Sequence, residues 1–265
     1  MNFIHIKLKP TKRINTDFNP AEVSKDVEIP EASKKFIKDY SKSNKLSDDY
    51  DKEVMILFED KMIYGFDYLY QKDKLLIPEI NPTTIFYANA IMSHKKLISF
   101  RQQLFENSPT VRNYKKNSIN QNLFGNFFQL ATICITNLQS ALESFANRQI
   151  PDDYEFIDTN GEEFEPSVFH KLDSALPKIH NKRFKSKYKK YNYSIRKLIE
   201  LRNEIVHLKP AEKDANTQYK IVYRRLLKFD FTRAVISVKT LINFYEPNLI
   251  EECECGKELY YDVCE

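Results

Sequence analysis

Residues 125–148 read GNFFQLATICITNLQSALESFANR, a regular amphipathic pattern that sets the fold class. Apolar side chains recur at spacings of three and four residues, the period of one face of an α-helix. That face consists of Phe128, Ala131, Ile135, Leu138, Leu142 and Phe145. The stretch therefore predicts a long helix that stops before Pro151 and buries one side in a helical core.

Four more helical patterns lie outside this segment. One begins at Pro82, after the capping candidate Asn81, and continues to about Glu106. The others are predicted near residues 167–176, 191–207 and 218–245. Three of the five exceed about 20 residues, which is long enough to form a bundle core. The sequence thus predicts a mainly α protein whose helical domain spans residues 81–250.

The first 80 residues follow a different pattern. Phe3–Leu8 partly alternates and predicts a short strand, whereas Glu31–Tyr40 predicts a short helix. Val54–Ile77 fits either a hairpin or one buried helix, and its aromatic content favours strands. We therefore expect a small mixed α/β appendage at 1–80 and a cysteine-containing tail at 251–265.

Composition excludes several classes of protein. Hydrophobic residues make up 42% and charged residues 29% of the 265 positions, as in an ordinary globular chain. Four glycines argue against a glycine-rich phosphate loop, and four cysteines are too few for a disulfide framework. No run approaches the roughly 20 apolar residues of a membrane span. We expect a cytoplasmic protein with reduced thiols and no membrane association.

A cationic strip with interleaved aromatic rings occupies residues 178–197, which contain no acidic residue. Lysines and arginines there can neutralise phosphates while the rings stack on unpaired bases. The alternative is a solvated, lysine-rich surface. The residues predicted to bind RNA are Lys182, Arg183, Lys185, Lys187, Tyr188, Lys189 and Lys190.

Residues 198–210 read LIELRNEIVHLKP and place Arg202, Asn203 and His207 in the pattern R-N-x-x-x-H. This pattern resembles the R-x(4–6)-H motif of the HEPN superfamily, which also lies at the end of a helix followed by another long helix. The resemblance covers about residues 82–246. It implies an antiparallel helical bundle, a homodimer, and a metal-independent ribonuclease of toxin or antiphage-defence systems.

The motif residues have the chemistry that RNA cleavage requires, because the 2′-OH of RNA is itself the nucleophile. An imidazole, with an ordinary pKa of about 6.5, suits His207 as general base or acid. The planar guanidinium of Arg202 can hold two phosphate oxygens, and Asn203 would position its neighbours or bind phosphate or sugar. Structural roles are the alternative, with Arg202 paired to Glu200 or Glu143 and His207 stabilised by the helix dipole.

Helix geometry raises one objection to a site formed by Arg202 and His207 of one chain. Side chains five positions apart on an ideal helix point in directions roughly 140° apart around its axis. A last turn distorted by Pro210, or a two-fold dimer with both motifs in one cleft, would answer it. The resemblance implies the dimer. It also implies a polar residue on an earlier helix near the cleft, for which Glu143 and Asn147 are candidates; core packing or capping is their alternative role.

The remaining cysteines give a weaker signal. Cys253, Cys255 and Cys264 suggest part of a zinc site, but tetrahedral zinc needs a fourth ligand that the neighbouring sequence lacks. Free thiols, no metal and no cofactor are therefore the expectation. Cys134 lies among apolar residues and is predicted to be part of the core.

The resulting prediction is an endoribonuclease that cuts single-stranded or looped RNA by 2′-OH attack. Because such an activity endangers its host, we expect restraint by a regulatory protein, by residues 1–80 or by rearrangement of the dimer. Two alternatives stay open: a non-catalytic RNA-binding module that uses the cationic strip, and a protein-interaction module in a defence complex whose interface is the aromatic N-terminal segment.

Overall fold

The computed structural model describes residues 5–26, 28–47, 54–58, 61–113, 120–208 and 219–254. The chain is mainly helical with a small antiparallel sheet near its N-terminus, which confirms the coarse fold prediction. It divides into two compact units: residues 8–81 form an N-terminal unit, and residues 82–265 with residues 1–7 form a helical unit.

The N-terminal unit is built around one long central strand. Its elements are β1 (Arg13–Ile14), α1 (Pro20–Asp26), α2 (Glu31–Lys42), β2 (Val54–Phe58), β3 (Lys61–Tyr70) and β4 (Asp73–Pro78). The three other strands all pair antiparallel with β3. Along β3 the buried residues Ile63 and Asp67 alternate with the exposed Phe66 and Tyr68, the period-two pattern of a half-buried strand. The preference for strands over a buried helix is therefore confirmed.

A buried carboxylate joins α2 to the sheet. Asp67 accepts hydrogen bonds from the Tyr40 hydroxyl and from the Ser47 backbone N–H at 3.0 Å and hydroxyl at 2.6 Å. Desolvation raises the pKa of Asp67, but these hydrogen bonds outweigh it and lower the pKa to about 2. Asp67 therefore stays ionised and fixes α2 and the segment after it on the sheet.

The strand predicted at Phe3–Leu8 is reduced to a single bridge in its described part. Ile6 pairs with Glu252, and the Lys7 N–H donates to the Glu251 carbonyl at 2.9 Å. This pairing holds the start of the chain against the segment that follows the last helix. Residues 5–7 consequently belong to the helical unit; Phe3 and Ile4 lie outside the described residues.

The helical unit contains four main helices and several short ones. The main helices are α3 (Pro82–Asn107), α4 (Gln121–Gln149), α8 (Lys189–Val206) and α10 (Phe231–Tyr245). Between them lie α5 (Val168–His170), a π-helical turn (Lys171–Ala175), α6 (Leu176–Ile179), α7 (Phe184–Lys187) and α9 (Tyr219–Lys228). The positions of α3, α4 and α8 agree with the sequence prediction to within a few residues.

The core lies where α4 meets its neighbours. The predicted apolar face of α4 is buried from Ala131 to Phe145, although Phe127 rather than Phe128 is its fully buried ring at the N-terminal end. Cys134 belongs to this core, as predicted, and burial raises the pKa of its thiol to about 12. Such a thiol packs as a small apolar group and carries no nucleophilic function.

Three hydrogen bonds join α3 to α10 and to Phe229, which precedes α10. The Tyr87 hydroxyl donates to the Val235 carbonyl at 3.0 Å, His94 Nε2 lies 3.0 Å from Thr232 Oγ1, and Arg101 donates to the Phe229 carbonyl at 2.9 Å. Residue numbers rise along α3 while those of the partners fall. The two helices are therefore antiparallel.

The single helix predicted over residues 218–245 is wrong, because the chain breaks between α9 and α10. The Asp230 side chain accepts the Arg233 N–H at 2.9 Å and caps a new helix. The Phe229 carbonyl, freed from helical bonding, accepts the Arg101 guanidinium. Only α3 and α4 of the described helices exceed 20 residues, not the three expected.

Candidate functional site

The R-N-x-x-x-H motif lies at the C-terminal end of α8. The helix ends at Val206, and His207 is its C-cap with φ −104° and ψ 29°, outside the helical range. The His207 N–H still donates to the Asn203 carbonyl at 3.1 Å, and the His207 residue is exposed. Pro210, which was expected to distort the last turn of this helix, lies outside the described residues.

Among the described residues, the guanidinium of Arg202 donates to an amide and pairs with no acid. Its Nη1 donates to Asn203 Oδ1 at 3.3 Å, and its Nε is buried without a hydrogen-bond partner among the described residues. The alternative pairing with Glu200 is not what the structure contains, because Glu200 lies 3.7 Å from Lys197 and 4.0 Å from Arg225. The neighbouring Glu204 also pairs with Arg225.

Asn203 connects the other two motif residues. Its side-chain oxygen accepts from Arg202, and its backbone carbonyl accepts from the N–H of His207. The structure thus brings Arg202, Asn203 and His207 together within the last turns of one helix. The bond from His207 is the backbone bond of the last helical turn, so it fixes the helix end and not the position of the imidazole ring. A cation and an exposed imidazole at one helix end are the side-chain types that hold a phosphodiester and move a proton.

Two other predicted residues lie away from this motif. Glu143 and Asn147 are in the C-terminal half of α4, where the neighbouring ring of Phe145 packs 6.4 Å from Tyr245 at the end of α10. Asn147 Oδ1 accepts a 2.7 Å hydrogen bond from the Lys171 ammonium.

The motif occupies the opposite end of α10. Leu201 of α8 and Phe229, just before α10 begins, line the same groove. Glu143 and Asn147 thus lie on the helix that packs at the C-terminal end of α10, whereas Leu201, next to the motif, shares a groove with Phe229 before its N-terminal end.

The predicted cationic strip is divided between structural and exposed side chains. Lys182 donates to the Phe244 carbonyl at 2.7 Å and lies over the rings of Phe244 and Tyr245, so it stabilises the end of α10. Tyr188 stacks on Tyr191 with ring centroids 6.0 Å apart. The side chains that reach solvent are Arg183, Lys185, Lys187, Lys189 and Lys190.

Two cationic grooves border this strip. The first, of about 940 Å³, lies between α6, α7 and the start of α8, and we call it the α6–α8 groove. The second, of about 760 Å³, lies between α8, α9 and α10, and we call it the α8–α10 groove. Lys189 lines both grooves. The cations of the α8–α10 groove are Lys189, Lys190, Lys197, Arg225, Lys228 and Arg233.

The prediction of RNA-binding residues from sequence omitted part of this surface. Lys228 and Arg233 belong to α9 and α10, far along the chain from the strip, and line the same groove as Lys190. A scan for local charge density finds residues 178–197 but cannot join them to cations some 30 residues later. The basic residues of α9, which recur among apolar ones, were the sign in the sequence that this helix contributes to a cationic surface.

The cysteine tail provides little geometry. Cys253 is half-buried, and its N–H donates to the His5 carbonyl at 2.8 Å. Cys255 and Cys264 lie outside the described residues. Within the ranges that the structure covers, no three His, Cys, Asp or Glu side chains are grouped so that they could hold a metal ion.

Comparisons with protein-family models, with curated proteins and with solved structures find no match for this chain. The likeness to the HEPN superfamily therefore rests on the motif and its helical setting. None of the described helices combines the length and apolarity that crossing a membrane requires.

Proposed function

We propose that the chain is a HEPN-like, metal-independent endoribonuclease that acts on single-stranded or looped RNA in a toxin or antiphage-defence role. The observation that carries this proposal is the R-N-x-x-x-H motif at an exposed helix end, where Arg202 is bound to Asn203 and, in the part of the chain that the structure describes, to no acid. A salt-bridged arginine would be a structural cation. An arginine held by a neutral amide keeps its charge available for a phosphate.

The proposed reaction is an internal transesterification. The 2′-OH of one nucleotide gives its proton to a base and attacks the adjacent phosphorus, and the bond from phosphorus to the 5′ oxygen breaks. The 5′ oxygen takes a proton, which leaves a 2′,3′-cyclic phosphate and a 5′-OH end. His207 moves one of these protons, and Arg202 stabilises the extra negative charge on the phosphorane.

Two proton transfers favour two histidines, and a dimer supplies them. A two-fold axis near the C-terminal end of α8 would place His207 of one protomer as the base and its copy as the acid in one cleft. Such a cleft also removes the need for Arg202 and His207 of one chain to share a helix face.

Cleavage of an end-labelled, unstructured RNA in excess EDTA tests the proposal. We expect wild-type protein and Val206→Ala, a control on the same exposed turn, to give cyclic phosphate ends. His207→Ala and Arg202→Ala are expected to bind the RNA without cutting it. A substrate with 2′-deoxyribose at the cleaved position should resist the wild type.

Equal cutting by wild type and His207→Ala would contradict the proposal. RNA binding without cutting by any of the four proteins would favour the non-catalytic RNA-binding module.

A protein-interaction module is the second candidate, and the N-terminal unit provides its observation. One face of β3 exposes Phe66, Tyr68 and Tyr70, which are 46%, 50% and 56% accessible. Contiguous exposed aromatic surface of this kind marks contact sites. The interaction module predicts a stoichiometric partner that binds the wild-type chain and is lost with Tyr68→Ser, and no RNA cleavage.

A further inference from the structure

We infer that the α8–α10 groove and the α6–α8 groove form one continuous track for single-stranded RNA. This placement extends the proposed function and rests on it for the identity of the strand as RNA. The charge, the aromatic side chains and the shape of the grooves supply the remaining argument.

The cationic side chains of the α8–α10 groove outnumber the acids beside them. Its six cationic side chains face a single acid in the lining, Asp230, whose carboxylate already caps α10. Arg225 is neutralised by Glu204, and Lys197 lies 3.7 Å from Glu200. Lys189, Lys190 and Lys228 have no carboxylate partner among the described residues, so each is available to a phosphate.

Aromatic side chains give the groove a preference for bases. Tyr193 is 63% exposed on the α8 wall, and the Lys197 ammonium lies 5.4 Å from its ring centroid. Phe229 lines the opposite side. An exposed ring in a cationic groove is the combination that sequence-tolerant single-strand binders use, because every base presents a π-face. An acidic peptide would satisfy the lysines but would leave Tyr193 without a matching group.

The length of the surface distinguishes a strand from a single nucleotide. Each groove alone has the volume of a small-ligand site. Lys189 lines both, and Lys190 and Lys197 lie two helical turns, or about 10 Å, apart along α8. A mononucleotide would fill a part of this surface, whereas an extended strand contacts both grooves.

The track leads toward the motif. Lys190, Tyr193, Lys197 and Leu201 follow one side of α8 at spacings of three and four residues. Arg202 follows the last of these and lies about 100° further round the helix axis, outside the lining of the groove. A strand that continues past Leu201 and turns round the end of α8 would reach the place of the proposed chemistry.

The salt dependence of binding tests the charge argument. We would use the full chain carrying His207→Ala, a fluorescent oligouridine, and anisotropy over a range of salt concentrations. Adding Lys190→Gln and Lys228→Gln should weaken binding and reduce the slope of log Kd against log salt by about 1.4, since each single-strand phosphate contact contributes about 0.7. Lys95→Gln with Lys96→Gln on α3 is the charge-matched control and should leave the slope unchanged.

A second variant tests the aromatic contact. Tyr193→Leu should weaken oligouridine binding by about fivefold or more without changing the salt slope. Circular dichroism of each variant confirms that the helices are retained. Uridine monophosphate should compete only at far higher concentration than unlabelled oligouridine, and polyglutamate should compete weakly.

Four outcomes would overturn the inference. They are an unchanged salt slope in the lysine variant, wild-type affinity in Tyr193→Leu, equal competition by the mononucleotide, and stronger competition by polyglutamate. Different results would reject the RNA track and the proposed nuclease function. Groove-dependent binding without any cleavage by wild type would reject the nuclease alone, whereas cleavage that depends on His207 but not on the groove would reject the track alone.

Discussion

Arg202 differs from Arg196 on α8 and Arg225 on α9 in its partner. Arg196 pairs with Asp173 and Arg225 with Glu204, while Arg202 donates to the amide of Asn203 among the described residues. Its Nε is buried without a hydrogen-bond partner among the described residues, as are polar side-chain atoms of Gln139 and His180. An arginine without a carboxylate partner there is suited to bind an anionic ligand.

Replacing Arg202 by lysine tests this interpretation at the level of one side chain. Arg202→Lys keeps the positive charge and loses the planar fork, so we expect the single-turnover cleavage rate to fall by about 100-fold or more. RNA affinity should change little, because the charge is retained. A rate within a few-fold of wild type would show that charge alone is needed.

His94 predicts a pH dependence of stability that is separate from any activity. Burial, and secondarily the nearby Arg101, lowers the pKa of His94 to about 4, so the folded protein holds it neutral. In the unfolded chain the imidazole takes up a proton near pH 6.5. Its contribution to stability is therefore complete above about pH 6.5 and is lost as the pH falls toward 4.

The size of this effect is about 3 kcal/mol of the free energy of unfolding between pH 7 and pH 4. Urea unfolding at pH 7, 5.5 and 4.5 measures it. His94→Phe and His94→Asn both remove the titrating group and should reduce the pH dependence by this amount. A pH dependence equal to that of wild type in both variants would contradict the assignment.

At the scale of elements, two glycines on different secondary structures should respond in opposite ways. A Cβ at Gly125 in α4 would meet no atom within 4 Å, so Gly125→Ala should stabilise the protein by about 0.5–1 kcal/mol. A Cβ at Gly65 in β3 would lie 2.7 Å from the Ile77 carbonyl oxygen and closer still to the Ile56 side chain. Gly65→Ala should therefore destabilise it by about 1–3 kcal/mol.

Urea unfolding of the two variants beside wild type provides the measurement, with far-UV circular dichroism for the helical unit and hydrogen exchange of the β3 amides for the sheet. Stabilisation by both substitutions would show that the sheet accommodates a side chain at Gly65. Destabilisation by both would mean that α4 begins differently around Gly125.

The sequence predicted the elements whose periodicity was long and regular. The stripe from Ala131 to Phe145 has one dominant period, and α4 forms where that pattern lies. The break at Asp230 was missed because apolar residues keep helical spacing across it, and the capping bond to Arg233 depends on a local backbone turn. The bridge between Ile6 and Glu252 was missed since it joins the two ends of the chain.

The candidate site was predictable to a similar extent. Arg202, Asn203 and His207 are close in sequence, so one helix end suffices to bring them together. The α8–α10 groove required three helices to meet, and Lys228 and Arg233 therefore could not be assigned to it from local charge. Local motifs are visible in a sequence, whereas surfaces assembled from distant elements become visible only in the fold.

For the whole molecule, the proposed reaction depends on a second copy of the chain, and this gives the last prediction. If both histidines of a dimer are needed, the specific cleavage activity should fall as the protein is diluted below the dissociation constant of the dimer. Sedimentation at the same concentrations gives the dimer fraction, and we expect activity to follow that fraction. Gly125→Ala, which leaves the motif intact, should lie on the same curve.

Mixing inactive chains sharpens this test. When Arg202→Ala and His207→Ala proteins are combined and allowed to exchange, mixed dimers hold one intact Arg202 and one intact His207 in the shared cleft. If the cleft needs two arginines and two histidines, the mixture stays inactive. If it needs a single copy of each, the mixture regains part of the wild-type cleavage rate. Activity of a monomer at full specific rate would contradict both, because a lone motif would then carry out both proton transfers.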